Sequence, residues 1–153
     1  NNMRTRSMKV IDMAVHDVAT TPSSKTITEC AAQMREQHVG SLVIVDDQQI
    51  PQGMITDRDI AIQVVALNQD PNKVTVADIM TTPVVTATVD ESMVVALARM
   101  REFGIRRLPI VDENNKLVGV ISNSNLVEEL SSLLEGLVRN IHSSKAREVA
   151  LRP

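Results

Sequence analysis

Leu42-Val43-Ile44-Val45-Asp46 and, a few residues on, Gly53-Met54-Ile55-Thr56-Asp57-Arg58-Asp59 return sixty-six positions later as Leu108-Pro109-Ile110-Val111-Asp112 and Gly119-Val120-Ile121-Ser122-Asn123-Ser124-Asn125. The same offset extends outward without a gap. Val10 meets Val76, Asp12 meets Asp78, Thr20 meets Thr86, and Met34-Arg35-Glu36 meets Met100-Arg101-Glu102. One register held over this distance marks an internal duplication rather than shared composition. The chain is two copies of one unit, and its 153 residues suit two small repeats completing a core that neither closes alone.

Each unit reads as strand, helix, strand, strand, helix, an α/β (α+β) pattern. Val18-Ala19-Thr20 is a short strand, and Thr21-Pro22-Ser23-Ser24 a turn. Thr26-Ile27-Thr28-Glu29 has the spacing of a capping box, in which a threonine hydroxyl and a glutamate satisfy the free N–H groups at a helix start. The helix runs to about His38, with Ile27, Ala31 and Met34 as its predicted buried stripe, matched in the second copy by Met93, Leu97 and Met100. Cys30, aligned with Ala96, reads as a small core residue, and His38 as a residue of the helix end. Leu42–Val45 and Leu108–Val111 are short apolar runs bounded by polar turns, hence buried strands. Returning strands follow at about Gly53 to Ile55 and Leu117 to Ile121, and second helices begin at Asp57, running to about Leu67, and at Asn123. The predicted divisions are an N-terminal segment 1–9, repeats at 10–67 and 76–132, a polar linker at 68–75, and a C-terminal extension at 133–153. Asn1-Asn2 before Met3 reads as a cloning remnant.

Composition narrows the function. Aromatic residues make up 1% of the chain, a single Phe103, and the net charge is −3, so base stacking and phosphate-backbone binding both lack their usual groups. Nucleic acid is not an expected partner. One cysteine and the scattered His16, His38 and His142 make neither a disulfide nor a metal cluster. Apolar runs such as Val64–Leu67 fall far short of the roughly 20 residues that span a bilayer, and no signal peptide opens the chain. The expected location is a reducing cytoplasm, away from membranes. There is no Gly-x-x-x-x-Gly-Lys loop and no nucleophile–base set within one unit, and Asp57 and Asp59 do not face one reacting group. A catalytic role is not expected.

The Leu-x-Ile-Val-Asp strand, the methionine-bearing helix and the Gly-x-Ile-Thr-x-x-Asp turn together resemble the cystathionine-β-synthase (CBS) domain. Two in tandem resemble a Bateman module, and the likeness covers roughly residues 10 to 132. Val10-x-Asp12-Met13 and Val76-x-Asp78-Ile79-Met80 match the lead-in that precedes such repeats, and the chain is similar to small stand-alone two-repeat bacterial proteins. The resemblance implies a non-catalytic regulatory module that binds an adenine nucleotide between its repeats. AMP is the first expectation, with ADP, ATP or NAD as others, and no catalytic cofactor. It further implies signalling to a regulated protein by a change of shape.

The family holds ribose hydroxyls with the acid of the turn, here Gly53, Thr56 and Asp59. Physically, a carboxylate accepts from both hydroxyls, while from spacing alone Thr56-Asp57-Arg58-Asp59 serves equally as an N-cap. In the second copy Ser122 and Asn125 stand where the first has Thr56 and Asp59, a neutral amide in place of the acid. Conversely, Arg106-Arg107 of repeat two aligns with Gly40-Ser41 of repeat one. The family often carries a basic pair there, and guanidinium groups suit phosphate oxygens. One strong site is therefore expected from Thr56, Asp59, Arg106 and Arg107, with Arg58 a lesser phosphate candidate and Val18, Ala19, Thr20, Met54, Ile55 and Pro109 around the base. A weaker site of Ser122, Asn125, Gly40 and Ser41 would lack both acid and cation.

Past the second repeat, Leu126, Leu130, Leu133, Leu134, Leu137, Val138 and Ile141 recur at helical spacing with nothing in their own unit to cover them. Bateman modules pair through their helices, so this extension is expected to join a homodimer contact. The polar tail from Ser143 to Pro153, with Lys145, Arg147 and Arg152, reads as a solvated end.

Overall fold

The computed structural model describes residues 8–151. Repeat one contains α1 (Val10–Met13), β1 (Thr20–Thr21), α2 (Ile27–Gln37), β2 (Ser41–Val45), β3 (Pro51–Thr56) and α3 (Asp57–Ile60), the last continued by a π-helical turn over Ala61–Val65. Repeat two contains α4 (Val76–Ile79), β4 (Ala87–Thr88), α5 (Met93–Phe103), β5 (Arg107–Val111), β6 (Leu117–Ser122) and α6 (Asn123–Leu151). The first predicted strand lies slightly later than Val18–Thr20, and Asn1-Asn2 falls outside the described residues.

Each repeat forms a three-stranded sheet with the first strand parallel to the second and the second antiparallel to the third. The two sheets share even their irregularity, a register shift at Ile44/Val45 in one and at Ile110/Val111 in the other. The capping box of α2 forms as the sequence predicts: Glu29 N–H donates to the Thr26 hydroxyl, and Thr26 N–H donates to the Glu29 carboxylate. These hydrogen bonds, with the Thr26 backbone first, hold the Glu29 carboxyl below its ordinary pKa. His38 closes α2 in the left-handed region (φ 55°), the conformation that Gly104 supplies for α5 (φ 63°).

The buried stripe of α2 is Ile27, Cys30 and Met34, and α5 buries Ala96 and Met100. This corrects the expected Ala31 and Leu97, which are exposed. Spacing fixes the period of each helix and packing fixes its rotation, which turns Cys30 and Ala96 inward. Burial pushes the Cys30 thiol up to about 11. Its contribution to stability is thus whole below the ordinary value of 9.0 and is lost as pH rises toward about 11, because the unfolded thiol ionises first. At about pH 8, a thiol reagent is expected to label Cys30 only as fast as the fold opens. Immediate stoichiometric labelling of the folded protein would contradict its burial.

The repeats exchange their lead-ins. Val76, from the short helix that begins repeat two, sits at zero exposure in the core of repeat one with Ile27, Cys30, Met34 and Ile55. Val10, from the start of repeat one, sits equally buried in the core of repeat two with Ala87, Ala96, Met100 and Ile121. Backbone bonds seal the exchange: Ile27 N–H donates to Val74 carbonyl and Val10 N–H to Glu91 carbonyl, both at 2.9 Å. Sequence order places each lead-in at the head of its own unit, whereas packing places it in the other. Neither repeat closes its core without the chain of its neighbour.

The final helix runs unbroken through Leu151, so residues 143–151 are helical as well as exposed to solvent. Among the described residues, no helix is long and apolar enough to cross a membrane.

Candidate functional site

The crossing segments bring each lead-in against the returning strand of the other repeat. Val15 and Val120 exchange backbone hydrogen bonds of 2.9 and 3.0 Å, and Thr81 and Met54 exchange bonds of 2.9 and 3.4 Å. A side chain at either of the two repeat-matched glycines would block this approach: a Cβ on Gly53 would lie 2.8 Å from the Thr81 carbonyl oxygen, and one on Gly119 would lie 3.1 Å from that of Val15. The glycine of each turn is therefore required for the seam between repeats.

Immediately after each glycine strand, a helix begins. Thr56 Oγ1 accepts from Asp59 N–H at 3.1 Å, and Asp59 Oδ2 accepts from Thr56 N–H at 2.8 Å. The same box recurs with Ser122 and Asn125, where Asn125 N–H donates to Ser122 Oγ at 3.3 Å and Asn125 Oδ1 accepts from Ser122 N–H at 3.0 Å. Both turns are thus helix caps. In the first, Asp59 Oδ1 has no hydrogen-bond partner among the described residues, which leaves one carboxylate oxygen free to accept. Each helix start is also tied to the neighbouring strand: Asp57 N–H donates to Gly40 carbonyl and Asn123 N–H to Arg106 carbonyl, both at 2.9 Å.

A cavity of about 190 Å³ opens at the second of these turns. Repeat one contributes Val15, Asp17, Val18, Ala19, Val39, Ser41 and Val43, and repeat two contributes Arg107, Val120, Ser122 and Asn125. Apolar Val15, Val18, Ala19, Val39, Val43 and Val120 line it together with polar Asp17, Ser41, Arg107, Ser122 and Asn125, the mixed lining of a small-molecule cleft. Shifting its lining by the repeat offset of sixty-six names the counterparts of these residues at the first turn: Thr81, Pro83, Val84, Val85, Ile105, Arg107 and Pro109, with Ser41, Met54, Thr56 and Asp59. The Thr81–Met54 bridge links the two groups. Ser41 and Arg107 both line the cleft of Asn125 and exchange places under the shift.

This grouping differs in several respects from the expected one. Val18 and Ala19 line the cleft of Ser122 and Asn125, because the lead-ins are exchanged; Val84 and Val85 are their counterparts at the repeat offset. Thr20 sits in β1, where its carbonyl accepts from Gln33 Nε2 at 2.7 Å. Ile55 is wholly buried in the core of repeat one, on the face of β3 opposite to Met54 and Thr56. Pro109 is buried in β5. Arg106 and Arg107 do not form a pair: Arg107 lines the cleft, half-buried, whereas Arg106 is exposed and lines a separate open groove of about 880 Å³ along α5. Successive residues entering a strand point to opposite faces. The second cleft does hold a cation and an acid, Arg107 and Asp17, contrary to the expectation that it would hold neither. Gly40 contributes its carbonyl to the Asp57 amide, and Arg58 is exposed on α3. Val15, Asp17, Val39 and Val120 were not expected in a cleft; the repeat offset, applied to the lead-in as well as to the turn, is the signal that finds them.

Two copies of this unit, with exchanged lead-ins and a cleft between them at the second cap, define the class, and comparison with known proteins agrees. The chain belongs to the CBS domain family, which matches residues 10–65 and 76–132. It is 42% identical over 123 residues to the uncharacterized protein MK0525 of Methanopyrus kandleri, a match that covers 80% of this chain and 63% of that protein. The CBS domain protein PAE2072 of Pyrobaculum aerophilum, solved in complex with AMP, superposes with a TM-score of 0.74 at 28% identity, over 84% of this chain and 97% of the other. The CBS domain pair of protein MJ0100, solved with 5′-methylthioadenosine and S-adenosyl-L-methionine, gives a TM-score of 0.71 at 30% identity, over 82% of this chain and 97% of that one.

Proposed function

We propose that this chain is a non-catalytic cytoplasmic sensor that binds an adenine nucleotide, AMP first among them, in the cleft of Thr56 and Asp59, and signals to a partner protein by a change of shape. The reading is supported by the exchanged lead-ins, which pair Thr81 with Met54 beside the Asp59 cap and its free Oδ1, and by Arg107, which lines the cleft at the other cap and which the repeat offset assigns to this one as well. The carboxylate accepts from ribose hydroxyls and the guanidinium donates to phosphate. That two similar CBS proteins hold AMP, and 5′-methylthioadenosine with S-adenosyl-L-methionine, supports an adenosyl ligand. The cleft of Asn125 has a neutral amide in that place and is the weaker of the two.

A ligand on Asp59 touches the first turn of α3, and one on Asn125 touches the first turn of α6. Ligand hydrogen bonds then bias helices that begin at the cleft and end on the surface, a coupling that exists only as far as the ligand favours one arrangement over another. The module works as a homodimer joined by its helices.

The test is titration calorimetry of ligand-free protein with AMP, ADP, ATP, NAD, 5′-methylthioadenosine and adenosine. One nucleotide per chain in the micromolar range, about −8 kcal/mol, with the ligand recovered unchanged, is the expected result. Absence of heat with every ligand would leave a partner-binding module whose caps serve only its helices.

A further inference from the structure

We infer that the projecting part of α6 pairs antiparallel with the α6 of a second copy of this chain, about a two-fold axis near Leu137. The inference rests on the dimeric reading above and is independent of the nucleotide site. α6 is 29 residues long, which is about 43 Å, and only Leu126 of it is buried. From Leu130 to Ile141 its apolar side chains form one continuous stripe, each about half exposed: Leu130 53%, Leu134 55%, Leu137 56% and Ile141 47%. A monomeric soluble protein rarely exposes a stripe of this extent.

Charge identifies what covers it. The first half of α6, up to Leu137, carries Glu128, Glu129 and Glu135 and no base, whereas the second half carries Arg139, Lys145 and Arg147 against Glu148. None of these side chains has an ion-pair partner among the described residues. A parallel pair would set acid against acid and base against base along its whole length. An antiparallel pair sets each acidic half beside a basic half while the leucines meet leucines, so the helix is complementary to its own reverse. About an axis at Leu137, Glu129 of one helix falls opposite Lys145 of the other and Glu135 opposite Arg139, which fixes the register.

The orientation is read by disulfide trapping between two full-length variants, Val127→Cys and Lys145→Cys, distinguished by mass. The two positions are five helical turns apart on one flank of the stripe, and the native Cys30 is buried. On mixing under mild oxidation, the expected product is the mixed dimer that joins one chain of each variant, with little of either like-with-like species. Adding Leu137→Lys, which replaces an already exposed side chain, is expected to abolish that product while leaving helicity and nucleotide titration unchanged. Predominance of like-with-like dimers, no disulfide at all, or a mixed dimer indifferent to Leu137→Lys would each overturn the pairing. Loss of nucleotide heat with trapping intact would instead strike only the sensor reading.

Discussion

Gly53→Ala is expected to melt about 6 °C below the native protein, although the substitution adds a single methyl to a strand. The new Cβ would stand 2.8 Å from the Thr81 carbonyl oxygen, closer than real Cβ atoms come. Met80 also crowds the position, with its Sδ at 3.0 Å, but a thioether end can swing aside. The carbonyl cannot, because Thr81 is held to Met54 by its own bonds of 2.9 and 3.4 Å. Overpacking against fixed backbone costs about 2 kcal/mol, and at this chain length each kcal/mol is worth about 3 °C. Gly119→Ala meets the Val15 oxygen at 3.1 Å and is expected to lose less. Scanning calorimetry of the two variants checks the order, and a Gly53→Ala melt within about 1 °C of the native one would contradict the seam.

A larger loss is expected from Val76→Asp. Val76 belongs by sequence to repeat two and by packing to the core of repeat one, at zero exposure among Ile27, Cys30 and Met34. An aspartate there would have to be charged and unpaired or take up a proton, and either costs several kcal/mol, which is a large part of a domain's whole stability. The milder Val76→Ala is expected to cost about 2 kcal/mol, a transfer and cavity loss. Because the lead-ins are reciprocal, the damage does not stay in one repeat. Val76→Ala is expected to speed thiol labelling of Cys30 and to lower the single denaturation transition of the whole module together. Separate transitions for the two repeats, or Cys30 protection unchanged by Val76→Ala, would show that each repeat stands alone.

The duplication made most of the fold legible. Short apolar runs between polar turns and helical spacing of apolar residues, read twice in one register, placed both sheets and their long helices. The capping boxes at Thr26 and Thr56 were visible as spacings because a side chain and an amide three residues apart meet only in a helix start. The exchange of lead-ins was not visible. Val10 and Val76 are short apolar segments whose composition says that they are buried but not in which core, and that choice is tertiary. The same ignorance put Val18 and Ala19 with Asp59, where the structure lines the cleft of Asn125 with them. Arg106 and Arg107, adjacent in sequence, part because the strand beginning there turns one inward and the other toward α5. Cys30 rather than Ala31 faces inward for a similar reason, since spacing gives the period of a helix and leaves its rotation to packing.

A site composed from both repeats is read by titration of the preferred nucleotide into Asp59→Ala and Arg107→Ala beside the native protein. Asp59→Ala is expected to abolish binding of nucleotide and nucleoside alike. Arg107→Ala is expected to weaken AMP at least tenfold, about 1.4 kcal/mol, while leaving adenosine nearly unaffected. Native affinity in both variants, or a loss that ignores the phosphate in Arg107→Ala, would contradict the site and return the function to the surface of α6.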